Sequence, residues 1–304
     1  MKKILLFMCI LCTMSSCGSD DPVIDDPINP EQPENPNEPD IQMKRIKSMT
    51  VYYPGDDYLT EQTLSYDDKG RINKIETYIS DSYSDNFITS ISYDNNQIVS
   101  ITKNNCKHSN PTDWNCDYGG HSCSYNVQNT MNNQGLISEV AYFYKDITTN
   151  EQDQVDEGSF SYKNGYLDSS NFDGDNVKYV YANNDLISFI YNYSDGYSST
   201  NYISYTKYEN KLGISPLLLT EDYRFIDMDI EADYYTFGIF FGYYSGWYGK
   251  ASKYLEKKVG SCHFEYEFDK DDYPVKIVSK DFDENGLYDE DSDESFTVNI
   301  VYQE

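Results

Sequence analysis

Bases are scarce in this 304-residue chain: 23 Lys and Arg stand against 52 Asp and Glu, a formal charge of -29. That balance argues against nucleic acid as a partner and suits an exposed, soluble protein. Long apolar runs are also lacking. The N-terminal run from Ile4 to Cys12 is nine residues, and a membrane-spanning helix needs about 20. Histidine is down to three, with no recognised pairing to a serine or cysteine, and no Gly-x-Ser-x-Gly elbow occurs. Nucleophilic catalysis therefore has no signature here. Paired carboxylates for glycoside hydrolysis carry no information where acids are this abundant. The expectation is a non-enzymatic protein, with a cryptic hydrolase the least favoured alternative.

What is present is a repeated phrase. It reads Ser65-Tyr66-Asp67-Asp68-Lys69-Gly70-Arg71-Ile72 and again Ser92-Tyr93-Asp94-Asn95-Asn96-Gln97-Ile98, with weaker copies at Met131–Leu136, Ser161–Leu167 and Val180–Leu186. A further copy, starting at Phe268, puts phenylalanine in the tyrosine position. Asn, Asp and Gly supply the positive φ of tight hairpin turns, and Tyr, Ile and Val suit a pleated, half-buried surface. Apolar and polar residues alternate in Phe296-Thr297-Val298-Asn299-Ile300, so one face is buried and the other wet. The fold class is all-β: a large curled antiparallel meander of about 12 to 16 strands, open or partly closed. Most of the tyrosines read as framework rather than ligand contacts.

The phrase resembles the tyrosine-aspartate repeats of Rhs-type shells, although Gly and Arg of that pattern stand together only at Gly70-Arg71. With its aromatic insert ending Gly249-Lys250-Ala251-Ser252-Lys253-Tyr254-Leu255 and its late strand Tyr273-Pro274-Val275-Lys276-Ile277, the body from 43 to 304 is similar to a Bacteroidota lipoprotein domain of unknown function with a porin-like fold. That resemblance implies a curled β-meander. It implies no activity and no catalytic residue.

Lys2 and Lys3 before the short apolar run are a secretory signal in layout, and Met14-Ser15-Ser16-Cys17 resembles a lipobox. Residues 1–16 are expected to be removed and Cys17 lipidated as an outer-membrane anchor. Ser19-Asp20-Asp21 resembles the surface-export signal of Bacteroidota lipoproteins, so surface display is expected. From Gly18 to Asp40 there are eight acids and no base, and prolines fall at every third position from 27 to 39. Polyproline II turns once in three residues, so 17–42 reads as a stiff acidic tether. Residues 43–304 are left as a single β domain.

Four cysteines remain beyond the anchor: Cys106, Cys116, Cys123 and Cys262. Outside the cytoplasm an even set favours disulfides, in any of three pairings. Cys106, Cys116 and Cys123 also lie near His108 and His121, a donor set zinc accepts but at no standard spacing. Asp281, Asp283, Asn285 and Asp289 place oxygens at positions 1, 3, 5 and 9 of an EF-hand-like loop with Gly286 at 6, a calcium candidate beside the plainer reading of an acidic hairpin tip. No other cofactor is expected.

The repeat lapses between Leu212 and Val259, where aromatics crowd among glycines; this insert is either a plug in the curled sheet or a sugar-stacking rim. Candidate ligand contacts are Tyr244 and Trp247 in the insert and Trp114 in a polar loop. The expected function is a surface lipoprotein that binds a glycan or a partner protein. A passive structural or envelope-assembly component is the alternative.

Overall fold

The computed structural model describes residues 44–54, 58–80, 85–94, 97–104, 123–146, 152–172, 174–213, 246–283, 285–289 and 295–303. Among them every regular element is a strand. The first eight are β1 (Ile46–Tyr53), β2 (Tyr58–Tyr66), β3 (Ile72–Ser80), β4 (Asp85–Asp94), β5 (Gln97–Asn104), β6 (Cys123–Met131), β7 (Ile137–Asp146) and β8 (Gln152–Lys163). There follow β9 (Tyr166–Phe172), β10 (Asp175–Ala182), β11 (Asp185–Asn192), β12 (Ser198–Glu209), β13 (Tyr254–Val259), β14 (Cys262–Phe268), β15 (Pro274–Phe282), the two-residue β16 (Tyr288–Asp289) and β17 (Phe296–Tyr302).

Consecutive strands pair antiparallel up to β15, which then pairs with β17, and β17 returns to β1. Sixteen strands thus close into a barrel, with β16 a short offshoot of β15. The curled antiparallel meander is as expected, and it closes fully. Its seam runs from Ile46 opposite Tyr302 to Tyr52 opposite Thr297. Closure pairs the N–H and C=O groups that two free edges would leave exposed.

Side-chain alternation decides what the barrel encloses. Met49 and Val51 of β1, Ile75 of β3, Val127 of β6, Phe189 of β11 and Ile277 of β15 all point inward and join one contiguous apolar core. Full burial of each such side chain stabilises by about 1.5–3 kcal/mol. Outward positions are mostly polar, with Tyr52, Tyr202, Tyr208 and Val301 among the exceptions, and carry cross-strand ion pairs: Lys276 to Glu267 at 2.8 Å, Lys280 to Glu265 at 2.7 Å and Lys178 to Asp168 at 2.5 Å. A membrane barrel has the opposite pattern, and a Lys on its lipid face costs about 2–4 kcal/mol at mid-depth.

The repeat turns behave as their residues dictate. Asn164 and Gly165 joining β8 to β9, and Asn183 and Asn184 joining β10 to β11, have positive φ at both central positions. These are the primed turns that match strand twist. A second turn type places an Asx residue first. The Asp67 side chain accepts the N–H of Lys69 and Arg71, Asn132 those of Gln134 and Leu136, and Asp269 those of Asp271 and Tyr273.

The tyrosines complete the pattern. The hydroxyl of Tyr66 donates to the Ile46 carbonyl at 2.7 Å, Tyr93 to Ile72 at 2.5 Å and Tyr162 to Ile137 at 2.5 Å. Tyr205 reaches Leu186 at 2.6 Å, Tyr266 reaches Glu256 at 2.6 Å and Tyr302 reaches Pro274 at 2.7 Å. Each bond ties a strand to the neighbour that precedes it in the barrel, a pair with no turn joining it at that end. Around this rim, six of the eight strand pairs that no turn joins are thus held by a tyrosine hydrogen bond to a backbone carbonyl; among the described residues β5–β6 and β9–β10 show no such bond. In the copy with Phe268, the role falls on Tyr266, two residues earlier and on the same face. Met131 takes the tyrosine position on β6 and brings no hydroxyl.

Strand direction sorts the connections into two ends. The repeat turns, the connection from β12 to β13 and the start of β1 and end of β17 lie at one, here the repeat end. The links from β1 to β2, β3 to β4, β5 to β6 and β15 to β17 lie at the other, the loop end.

Candidate functional site

The repeat end is crossed by the two flanks of the aromatic insert, 210–213 and 246–253. Trp247 stands edge-on to Tyr93 of β4 with ring centroids 5.4 Å apart, and its carbonyl accepts the Ile137 N–H at 2.9 Å. Tyr248 is buried against Phe160 of β8 at 4.8 Å. The Lys250 N–H then bonds the Gly165 carbonyl at 2.8 Å, and Asp185 accepts the N–H groups of Lys253 and Tyr254 at 2.7 and 3.2 Å. The segment thus passes over three successive repeat turns before entering β13. Gly249 permits the passage: its φ is +92°, and a Cβ there would fall 2.6 Å from the Gly165 carbonyl oxygen.

Beside this strap lies a cavity of about 260 Å³, bounded by the starts of β1 and β3, the ends of β2 and β17, and Lys211, Leu212 and Trp247. The charged residues lining it are Lys44, Arg45, Arg71 and Lys211, all bases. In a chain where acids outnumber bases 52 to 23, that sorting is pronounced. Two of the three arginines are here.

The carboxylates that hold these bases stand behind the lining. Lys44 Nζ is 2.6 Å from both Asp269 and Asp271, and those hydrogen bonds raise its pKa above the ordinary lysine value. Arg71 pairs with Asp67 at 2.7 Å and lies over the Tyr93 ring at 3.8 Å. Lys211 Nζ donates to the Asp271 carbonyl at 2.7 Å.

Arg45 differs. Its guanidinium lies 5.5 Å from the Tyr66 ring and packs on Gly70, where a Cβ would meet its Nη2 at 2.0 Å. Among the described residues it has no carboxylate partner. Burial pushes the Tyr66 hydroxyl up to about 12, against the opposing pull of the Arg45 charge. The lining therefore presents aromatic surface, a fixed set of cations and one guanidinium with its donors unspent. Such a set recognises a carboxylate, sulfate or phosphate held next to an apolar or ring-shaped body.

Of the candidate ligand contacts, Trp247 is placed in this lining. Tyr244 and Trp114 lie outside the described residues. Cys106 and Cys116, with His108 and His121, also lie outside the described residues, as does Cys17. Cys123 opens β6 and Cys262, buried, opens β14; both positions are at the loop end, on strands that are not neighbours.

The acidic loop resolves into another copy of the Asx turn. Asp283 Oδ1 accepts the N–H groups of Asn285 and Leu287 at 2.9 and 2.8 Å, and its Oδ2 accepts the Asn285 amide at 3.2 Å. Asp281 Oδ1 accepts the Phe282 N–H at 2.9 Å. Among the described residues no three His, Cys, Asp or Glu side chains converge in a metal-binding group.

Arg45, Arg71 and Lys211 were missed by sequence reasoning. A signal for Arg71 existed, because the copy that keeps both Gly and Arg of the repeat, Gly70-Arg71, is the one that lines the cavity. Nothing local marks Arg45 or Lys211, which reach the site only because the barrel closes.

No protein-family profile matches the chain, and no curated protein is similar to it in sequence. Solved structures do match. A porin-like protein from Bacteroides uniformis aligns with 85% of this chain and 98% of its own, with a TM-score of 0.58 at 13% identity. One from Bacteroides vulgatus aligns with 86% and 99%, with a TM-score of 0.48 at 16% identity. The protein is thus a closed antiparallel barrel of porin-like fold. Its inward face joins an apolar core to buried polar residues such as Thr77, Ser100, Asn129 and Glu256, and its outward face carries ion pairs.

Proposed function

We propose that this protein is a non-enzymatic lipoprotein of the outer membrane, displayed at the cell surface, whose barrel stands in water on a stiff tether and binds a glycan or a partner protein. The observation that carries the binding role is the cavity at the repeat end, where aromatic and basic side chains converge in a chain that is acidic overall. The lipobox at Cys17 and the proline-rich acidic stretch before residue 43 support the anchored, extended arrangement. The charged wall supports a barrel that lies outside the bilayer. A glycan array and a pull-down from envelope extract, both with the full chain, test the reading. Reproducible binding that drops when Trp247 is changed to Leu is expected, and two blank results would overturn it.

A passive envelope component is the second reading, favoured by the tyrosine bonds that give most aromatics of the rim a structural task. Quenching separates the two. With Trp114→Phe as background, iodide and acrylamide should reach Trp247 if the cavity is a working site and fail to reach it if the strap is only a lid on the core.

A further inference from the structure

We infer that the cavity at the repeat end is specific for an anionic saccharide: a sugar ring seated against Trp247 and Tyr66, with its carboxylate or sulfate on Arg45. This inference rests on the binding role proposed above and narrows it to a ligand class.

Charge selects the anion. The four charged lining residues are bases, and the acids that pair with Lys44 and Arg71 are not part of the lining. A neutral ligand would need no such arrangement in a chain of formal charge -29. Asp269, Asp271 and Asp67 neutralise Lys44 and Arg71, and Asp272 lies 3.9 Å from Lys211, so the positive charge left for a ligand among the described residues is that of Arg45.

Geometry selects Arg45 as the reader. Lys44 has two carboxylates at 2.6 Å, and Arg71 is held by Asp67 and the Tyr93 face. Arg45 is exposed, is steadied only by Tyr66 and the bare backbone of Gly70, and faces no carboxylate among the described residues. A guanidinium so placed offers a planar fork that a carboxylate or sulfate fits in bidentate fashion. Gly70 is fixed twice over, by a φ of +79° and by the room Arg45 needs.

Size and shape select a ring over a chain. About 260 Å³ lies just below the roughly 300–1,000 Å³ of sites for drug-sized ligands. It takes one or two rings, the end of a longer polymer included. Trp247 and the tyrosines give a sugar the flat apolar faces on which rings stack. A nucleic acid, anionic too, would face the repulsion of the whole acidic surface beyond this one cavity.

The test uses the full chain with Trp114→Phe, so that Trp247 is the remaining tryptophan. Its fluorescence is followed during titration with trigalacturonate, a sulfated disaccharide, neutral galactotriose, and sodium sulfate or acetate alone. A saturable change with the uronate or the sulfated sugar is expected, about tenfold or more tighter than with galactotriose. It should weaken as salt rises, because part of the attraction is screened. Arg45→Gln should lose about tenfold or more, and Arg45→Lys less, each with a melting curve like that of the parent to show an intact fold.

Galactotriose binding as tightly as the uronate, or affinity indifferent to Arg45→Gln, would overturn the anionic assignment and leave glycan binding standing. Sulfate or acetate alone reproducing the full effect would reduce the site to an adventitious anion site and overturn the saccharide. A protein partner captured by pull-down with silence from every sugar would overturn this inference while sparing the binding role.

Discussion

The two ends of the barrel are made by different means. At the repeat end, most neighbouring strands are joined by short turns of fixed chemistry or by a tyrosine hydroxyl on a backbone carbonyl, and a strap lies across part of the rim. At the loop end the connection between β15 and β17 carries Asp283, Glu284, Asp289, Glu290, Asp291, Asp293 and Glu294 with no base, whereas the other rim concentrates arginine and lysine round a cavity. The contrast teaches that in a repetitive barrel the regular end, not the irregular one, can hold the site. Repetition brings one copy of each element to a common rim, and a small departure in a few copies makes a pocket.

Substitutions at matched positions should break or sharpen this contrast. The largest difference is expected from glycine. Gly249→Ala puts a methyl 2.6 Å from the Gly165 carbonyl at a φ of +92°, whereas Gly286→Ala at the loop end, with a φ of +76°, meets nothing within 4 Å. The first should cost about 3–4 kcal/mol and the second about 1–2 kcal/mol, the backbone penalty alone. Urea unfolding of both variants measures the gap, and equal costs would mean that the strap does not press on the turn.

Next come the tyrosines. Tyr93→Phe and Tyr302→Phe each remove a hydroxyl bond to a backbone carbonyl and leave that carbonyl short of a partner, about 1–2 kcal/mol apiece. Tyr202→Phe on the outer wall, 72% exposed, should be neutral. The same tyrosines predict an alkaline transition. Burial raises the hydroxyl pKa of Tyr66 to about 12 and those of Tyr93, Tyr162, Tyr205 and Tyr302 above the ordinary value of 10.0. A proton held more tightly in the folded barrel stabilises it fully below pH 10, and that stability is lost as pH rises through about 12. Absorbance at about 295 nm should show exposed tyrosines ionising first and the buried class only on unfolding.

The smallest difference compares one turn at both ends. Asp67 and Asp283 cap their turns alike, but Asp67 also holds Arg71. Asp67→Ala should therefore lower the urea midpoint more than Asp283→Ala does. Calorimetry with calcium belongs beside it. A turn cap predicts flat traces for wild type and for an Asp281→Ala, Asp283→Ala pair. Heat confined to wild type would make the loop end a metal site after all.

How far the sequence leads depends on how local the cause is. Asn164-Gly165 and Asn183-Asn184 announce their turns because positive φ is a property of the residues themselves. Phe296 to Ile300 announce an inward and an outward face by alternation alone. Closure is not local: it needs Ile46 to meet Tyr302, and no short window contains that meeting. The cavity inherits the same difficulty, since Lys44, Arg71, Lys211 and Trp247 come from four distant stretches and converge only after the seam has formed. The repeat tyrosines do serve as framework, but their task was hidden, because the acceptor is a carbonyl 10 to 28 residues away with no mark of its own. The Asp281–Asp289 loop shows the reverse problem. Its acids fit a metal loop in spacing, while the same Asp-first turn also caps β2 and β14.

The meeting of Arg45 with Gln303, whose N–H donates to the Arg45 carbonyl at 2.8 Å, carries a kinetic consequence. Most neighbouring strands follow each other directly along the chain, so their hairpins can zip up early and independently. The seam between β1 and β17 must instead gather segments about 250 residues apart, and at about 0.6 kcal/mol for each doubling of loop length that search costs roughly 3 kcal/mol more than closing a short hairpin. Barrel closure should be the slow, late event of folding. Until it happens both edges stay unpaired, and the period before the seam zips is when the chain is most open to pairing with a second copy of itself.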